Sequence, residues 1–304
     1  MFKKSLYYLL ILSFFLIIVE FISLGLSKLN LLKFNNSPYI YSDKKYINLD
    51  QYWTEEESWG AWHKKNITVK HKKSCFDVEY QTNDIGARDD NFKNQKYKKN
   101  MILIGDSFAE GYGLSKEDMF ETFIEETAQI NLLNFSSSKD FGILQYYLIY
   151  NNLAKKFNHD GLIFTLFPNN DFRDNDFEFF LDSGLAYSKG RLRYRPYFKK
   201  INNKFEIFYP EKSSKIEEET YSFLKNYFWF SNVLRSIRYF YLSKQIKLSK
   251  PKSAVSTDQN SKSHISNYYF ATKDQQEASI FFLQKIISEN SEKKIYIFVI
   301  PIYE

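Results

Sequence analysis

The longest apolar run lies at the amino end. From Leu6 to Leu26 the only charged residue is Glu20, and Lys3 and Lys4 precede the run. About 20 apolar residues span a bilayer as a helix, so the run predicts a transmembrane segment over residues 1–27. Glu20 falls near its far end, where a carboxylate reaches the interface at reduced cost. The uncharged part, Ser5 to Val19, also has the size of a signal-peptide core, and Ser23-Leu24-Gly25 offers small residues for cleavage. An uncleaved anchor is the preferred reading, and the remainder is exported in either case. Lys28 and Lys33 on the far side weaken the positive-inside argument for orientation.

Residues 28–99 are polar and aromatic without a long period and read as an extracytoplasmic extension. Cys75-Phe76-Asp77-Val78-Glu79-Tyr80 alternates weakly, as an edge strand does. Thr82-Asn83-Asp84-Ile85-Gly86-Ala87-Arg88-Asp89 carries turn residues in order. Arg88 either pairs with a carboxylate near a sheet rim or sits exposed in this loop, and the sequence alone prefers the second. His63 and His71 lie in a Lys-rich stretch and are expected to be solvated.

From residue 100 the pattern becomes regular. Asn100 to Ile104 is a short apolar run that stops abruptly at Gly105-Asp106-Ser107, with Gly111 and Gly113 beyond. This is how a buried parallel strand delivers a side chain to a sheet rim. Ser115 and Asp118 read as a capping pair for a helix whose buried face is Met119, Phe120, Phe123, Ile124 and Thr127. Asn131 to Phe135 is a second strand, with Ser136 to Gly142 as its exit loop. Ile143, Tyr146, Tyr147, Tyr150, Ala154 and Phe157 keep helical spacing, and this tyrosine stripe reads as core. Gly161 to Phe167 is a third strand that exits at Pro168-Asn169-Asn170-Asp171. Alternating strands and helices imply an α/β fold with a parallel sheet and right-handed crossovers, so all three exits share one edge. Ser107, the Ser136–Gly142 loop and Asn170 then face one another there.

The rest of the α/β region, residues 100–304, holds an insertion at about 175–265 between the third and fourth strands. Gly184 to Tyr187 and Phe205 to Tyr209 suggest short strands. Residues 217–246 look helical and very aromatic, through Phe223, Tyr227, Phe228, Phe230, Leu234, Ile237, Tyr239 and Phe240. The insertion is expected to cap the site, and its flanking Lys and Arg also suit a membrane surface. Residues 249–266 read as a linker. Residues 273–289 form a last helix through Ala278, Phe281, Phe282, Ile286 and Ile287, and Lys294 to Pro301 forms the fourth strand.

Composition narrows the function. The chain has 304 residues, 44% of them hydrophobic, enough for a sizeable core, with 30 Phe and 24 Tyr. The net charge is +6, but acidic and basic residues are interspersed, so no nucleic-acid groove is indicated. The single cysteine, Cys75, excludes an intrachain disulfide, and the four histidines, His63, His71, His159 and His264, show no ligand spacing. No metal and no cofactor are expected.

Gly105-Asp106-Ser107, followed by Pro168-Asn169-Asn170-Asp171, resembles the SGNH/GDSL hydrolase superfamily, closest to its membrane-anchored, exported bacterial members. Asn83-Asp84-Ile85-Gly86-Ala87-Arg88 is similar to an Asn-x-x-Gly-x-Arg turn upstream of the first block in such proteins. The likeness covers roughly residues 75–175 and the last ten. It implies a three-layer flavodoxin-like sheet with helices on both faces, and a serine nucleophile, Ser107, in the catalytic block with Asp106. It implies Asn170, beside Asp171, as an oxyanion-hole donor, and binding roles for Lys139, Gly142 and Arg88.

A serine needs a base to become a nucleophile, and the tetrahedral intermediate needs donors aimed at its oxyanion. Asn170 and the backbone N–H of Ser107 supply two. The family's third donor is a glycine whose place is taken here by Lys139 or Ser138, and Pro168 replaces a block-opening glycine. The family's base lies in a late Asp-x-x-His block. No such block follows the fourth strand. His159 sits before the third strand, and His264 in a polar linker. The chain is therefore expected to be a fragment of an exported serine esterase or O-acyltransferase acting on an acylated carbohydrate or cell-surface glycan. The alternative is a non-catalytic SGNH-fold binding or assembly protein at the membrane.

Overall fold

The computed structural model describes residues 2–29, 31, 52–73, 75–138, 141–177, 179, 194–210, 228–231, 233–234 and 271–301. They fall in two compact units. One draws on Met1–Tyr46, Lys72–Asp77 and Ser214–Gln259, the other on Ile47–His71, Val78–Ser213 and Asn260–Glu304.

In the first unit, α1 (Phe2–Lys28) is a continuous helix, long and apolar enough to cross a membrane by length and composition. Its large apolar side chains, among them Leu9, Phe14, Phe15 and Phe21, are exposed. Two of its serines donate back one turn: Ser13 Oγ to Leu9 O at 2.9 Å and Ser23 Oγ to Val19 O at 2.8 Å. Such a helix serves as a membrane anchor or a signal segment.

The second unit opens with two hairpins, the turn residues of the second, Lys72–Asp77, being grouped with the first unit. β1 (Trp53–Glu56) pairs antiparallel with β2 (Gly60–His63), and β3 (Thr68–Lys72) pairs with β4 (Asp77–Gln81). Then follow β5 (Asn100–Ile104), α2 (Ser107–Glu110), α3 (Phe120–Ala128), β6 (Asn131–Asn134), α4 (Ile143–Asn152) and β7 (Gly161–Leu166). β8 (Tyr197–Ile201) and β9 (Lys204–Phe208) make a third hairpin. α5 (Lys273–Glu289) and β10 (Lys294–Val299) complete the unit.

The main sheet has the order β10-β7-β5-β6, and every pairing is parallel. β5 and β7 are central, and each of their residues is buried. A parallel strand covered on both faces needs a continuous apolar run, which is what 101–104 and 162–166 supply. Alternation splits the core in two. Ile102 and Ile104 pack with Leu162, Phe164 and the α4 and α5 residues Tyr146, Ile149, Phe282 and Ile286. Met101 and Leu103 turn to the other side, with Ile163, Leu132 and the α3 residues Phe120 and Ile124. β10 forms the edge, and Tyr296, Ile297, Phe298 and Val299 are exposed along it.

α3 differs from its expected face. Met119 is buried, but Phe123 is 70% exposed and Thr127 is exposed too. The helix begins only at Phe120 and turns Glu121 inward to Asn134, which rotates positions 123 and 127 to solvent. Ser115 and Asp118 bond to each other at 2.5 Å, and Ser115 makes no side-chain bond to the helix backbone. The segments 184–187 and 249–266, and most of 217–246, lie outside the described residues, as do Lys139 and His264.

Candidate active site

β5 ends buried, and the chain turns at Gly105 because nothing larger fits. A Cβ there would meet Thr165 Oγ1 on β7, and Ala109 Cβ at 2.6 Å. Asp106 then caps α2, its Oδ1 accepting the N–H of Phe108 at 3.0 Å. Ser107 is the first residue of α2 and is half-buried, whereas the six residues before it are buried. The helix ends after one turn at Gly111, whose φ of 77° is left-handed.

The three strand exits are tied together. Ser137 N donates to Gly105 O at 3.3 Å, and Asn134 Nδ2 to Ala109 O at 2.9 Å, which links the exits of β6 and β5. The rings of Phe108 and Phe167 lie 4.7 Å apart, which links β5 and β7. Tyr146 on α4 donates to Asp171 Oδ2 at 3.0 Å, and the same oxygen accepts Phe167 N at 2.8 Å. Gly142 packs so close that a Cβ would stand 2.9 Å from Asp171 O. Its N–H is held by Gln145 Oε1 at 3.2 Å, so Gly142 is a packing position and its amide is occupied.

Asn170, the expected oxyanion donor, spends one N–H on Asp174 Oδ2 at 2.7 Å. A side-chain amide has two, so one remains. Asp106 and Asp171 are 1% and 0% exposed. Asp106 Oδ2 and Asp171 Oδ1 are buried with no hydrogen-bond partner among the described residues. Burial, with the charge of Asp174 added, pushes the Asp106 carboxyl up to about 6, against the pull of the Phe108 N–H. Burial and the charge of Asp106 hold Asp171 well above the usual carboxylate range. The two acids are therefore neighbours that keep a proton after free carboxyls have lost theirs.

Arg88 is not an exposed loop residue, nor do its hydrogen bonds go to a carboxylate. It is 5% exposed. Its Nη1 donates to Glu110 O at 2.7 Å and Gly111 O at 2.5 Å, and Nη2 to Leu114 O at 2.5 Å. The guanidinium lies 3.6 Å from the Tyr80 ring centre. It locks the turn that follows α2.

His63 and His71 are buried, at 1% and 2% exposure, contrary to the solvated expectation. His63 Nδ1 meets Gly86 O at 2.9 Å, and Nε2 lies 3.4 Å from Glu110 Oε1, an ion-pair distance long for a hydrogen bond. Tyr52 OH donates to the same Glu110 oxygen at 3.2 Å. Burial raises the Glu110 pKa, but His63, then Ser138 and the charge of Arg88, outweigh it, and the net shift is downward. His71 Nδ1 meets Tyr80 OH at 2.8 Å, and that hydroxyl accepts Gly113 N at 2.7 Å. Lysines mark the exposed positions of β3, while Val69 and His71 alternate inward.

Tyr52, His63, Tyr80 and Glu110 are thus the residues that sequence reasoning missed. One signal was available: Glu110 lies four residues after Asp106, on the inner side of a one-turn helix. His159 meets Phe157 O at 2.8 Å and Lys293 Nζ at 2.8 Å, and burial lowers its pKa. None of these histidine partners is Ser107.

The sequence matches no protein-family model and no curated protein. The functional reading rests on the residues and their placement.

Proposed function

We propose that this chain belongs to an SGNH-type serine esterase or O-acyltransferase, anchored in the membrane by α1 with its α/β unit outside the cytoplasm. The observation that carries the reading is the position of Ser107. It follows β5 directly, at the carboxyl edge of a parallel sheet, and Asn170 follows β7, the next strand. Open α/β sheets bind ligands outside that edge where strand order reverses. Here the chain leaves β5 for β6 on one side and returns to β7 on the other. The order β6-β5-β7-β10 corresponds to the first four positions of the flavodoxin-like arrangement. The residues between β7 and α5 then form the insertion.

In the reaction Ser107 Oγ attacks the ester carbonyl carbon, and its proton passes to the base that the family resemblance assigns to a late Asp-x-x-His block and from there to the departing alcohol oxygen. The oxyanion is met by the free N–H of Asn170 and the backbone N–H of Ser107. Collapse expels the alcohol and leaves an acyl-serine. Water or a sugar hydroxyl then takes the acyl group, which separates hydrolase from transferase. An acylated glycan suits an exported enzyme held at a membrane.

The test uses the full chain in detergent, a short-chain nitrophenyl ester and a fluorophosphonate label. Wild type should cleave and be labelled. Ser107→Ala should not be labelled, and it should cleave the ester more slowly than wild type. Equal rates would overturn the enzyme reading. The non-catalytic SGNH-fold binding protein would then stand, a reading favoured by the Asn170 amide being held by Asp174.

A further inference from the structure

A segment late in the chain is built onto the apolar helix. Glu20 is the one charged side chain between Leu6 and Leu26. Its Oε1 accepts the backbone N–H of Trp229 at 2.6 Å, and its Oε2 that of Phe230 at 3.0 Å. These amides open a helical turn that starts at Phe230. The first N–H groups of a helical turn lack internal partners, and a carboxylate is their natural acceptor. Around the contact α1 is covered on one side: Ser23 is 3% exposed and Trp229 7%, while Phe21 is 69% exposed.

Depth gives the contact its meaning. Leu6–Leu26 runs ~31 Å at 1.5 Å per residue, about the thickness of a bilayer core. Glu20 then lies ~9 Å inside the far end of that run. A carboxylate there is costly unless it finds donors, and backbone N–H groups at that depth are costly unless they find acceptors. Each solves the other's problem. Interfacial elements sink ~5–10 Å into the headgroup–acyl boundary, which matches this depth.

We propose that Phe228–Leu234 is a second membrane-seated element, inserted into the lipid boundary at the carboxyl end of α1 and held there by Glu20. Its chemistry suits that place. The Phe228 and Phe230 rings pack at 5.6 Å, and Leu234 is 56% exposed. Lys225, Arg235 and Arg238 flank it in sequence, as basic residues flank interfacial segments. The proposal rests on α1 being a retained anchor. The contact itself supports retention, because cleavage after Gly25 would remove the acceptor of two backbone N–H groups.

The test places one environment-sensitive dye at a time on the full chain in phosphatidylcholine vesicles carrying brominated acyl chains. The background is Cys75→Ser, since Cys75 is an exposed free thiol. Dyes go on Leu234→Cys, on Leu16→Cys in mid-helix, and on Glu126→Cys, exposed on α3. The dye at 234 should lose emission most to bromines near the ester end of the chains. The dye at 16 should respond most to bromines near the methyl end, and the dye at 126 to neither. Glu20→Leu should abolish the loss at 234 while the loss at 16 and the circular dichroism stay unchanged. A quenched dye at 16 beside an unquenched dye at 234 would overturn the proposal and leave the anchor intact. Quenching at 234 that survives Glu20→Leu would overturn the role of Glu20. An unquenched dye at 16, or a mature mass lacking α1, would overturn the anchor and this proposal together.

Discussion

Arg88 offers the sharpest test of how the serine-bearing turn is held. Its guanidinium serves three carbonyls, those of Glu110, Gly111 and Leu114, at 2.5–2.7 Å. Hydrogen bonds from a charged donor contribute ~1.5–3 kcal/mol each, though three on one group do not add in full. Arg88→Ala also leaves the buried carbonyls of Glu110 and Gly111 without this donor, and an unsatisfied buried polar group costs ~1–3 kcal/mol. The expected loss is about 4 kcal/mol. At ~2–4 °C per kcal/mol for a unit of this size, Tm should fall by roughly 8–16 °C. Arg88→Lys keeps the charge but replaces a planar fork by a point donor, so it should lose about half as much. Thermal unfolding followed by the near-ultraviolet signal on a Trp229→Phe background, which leaves Trp53, Trp59 and Trp62, reads the α/β unit. A loss below ~1 kcal/mol for the alanine variant, or a lysine variant equal to wild type, would refute the argument, since surface changes stay within that range.

Three further outcomes follow from buried groups and faces. Burial and the neighbouring Asp89 charge hold Glu121 well above the usual carboxylate range. The folded state then keeps a proton that the unfolded chain has released, so the associated stability is present at low pH and lost as pH rises through the raised value. Glu121→Gln, measured by urea unfolding across pH, should flatten that decline and gain relative to wild type on the alkaline side. Gly105→Ala should cost ~1–3 kcal/mol in urea unfolding by overpacking β7, and Thr165→Ala should recover part of the loss. Phe123→Ser should change stability by less than ~0.5 kcal/mol, because that ring is in solvent despite its helical spacing.

The parallel sheet was legible because its strands are buried on both faces. Runs such as Met101–Ile104 and Leu162–Leu166 have no other use in a chain of this polarity. α5 was legible to the residue, since Ala278, Phe282 and Ile286 repeat at helical spacing against the sheet. Of the hairpins of 53–81 only β4 was, through the alternation of Cys75–Tyr80. β1, β2 and β3 are four to five residues long, and they bury Trp62, His63 and His71 rather than an apolar repeat. A strand whose inward positions are histidine and tryptophan looks polar in a hydropathy pattern, so position and burial disagree with composition.

The same physics explains what was visible of the site. Ser107 stood out because an apolar run breaks at Gly-Asp-Ser just before a helix-like pattern, as it does where a parallel strand reaches a sheet rim, although a plain polar turn shares the same residues. Its supports did not, because they reach across the chain: Arg88 and Glu110 lie 22 residues apart, and Tyr52 and Glu110 lie 58 apart. Each support is an ionisable group that cannot stay buried alone. Glu110 takes Tyr52 and His63, Arg88 takes three carbonyls, Glu121 takes Asn134, and Glu20 takes two amides 209 and 210 residues away. A sequence shows such residues as exceptions to the local pattern but not who answers them. The cost of burying a charge guarantees only that something does. In this chain the answering residues come from the hairpins for the serine-bearing turn, and from Trp229 and Phe230 for the apolar helix.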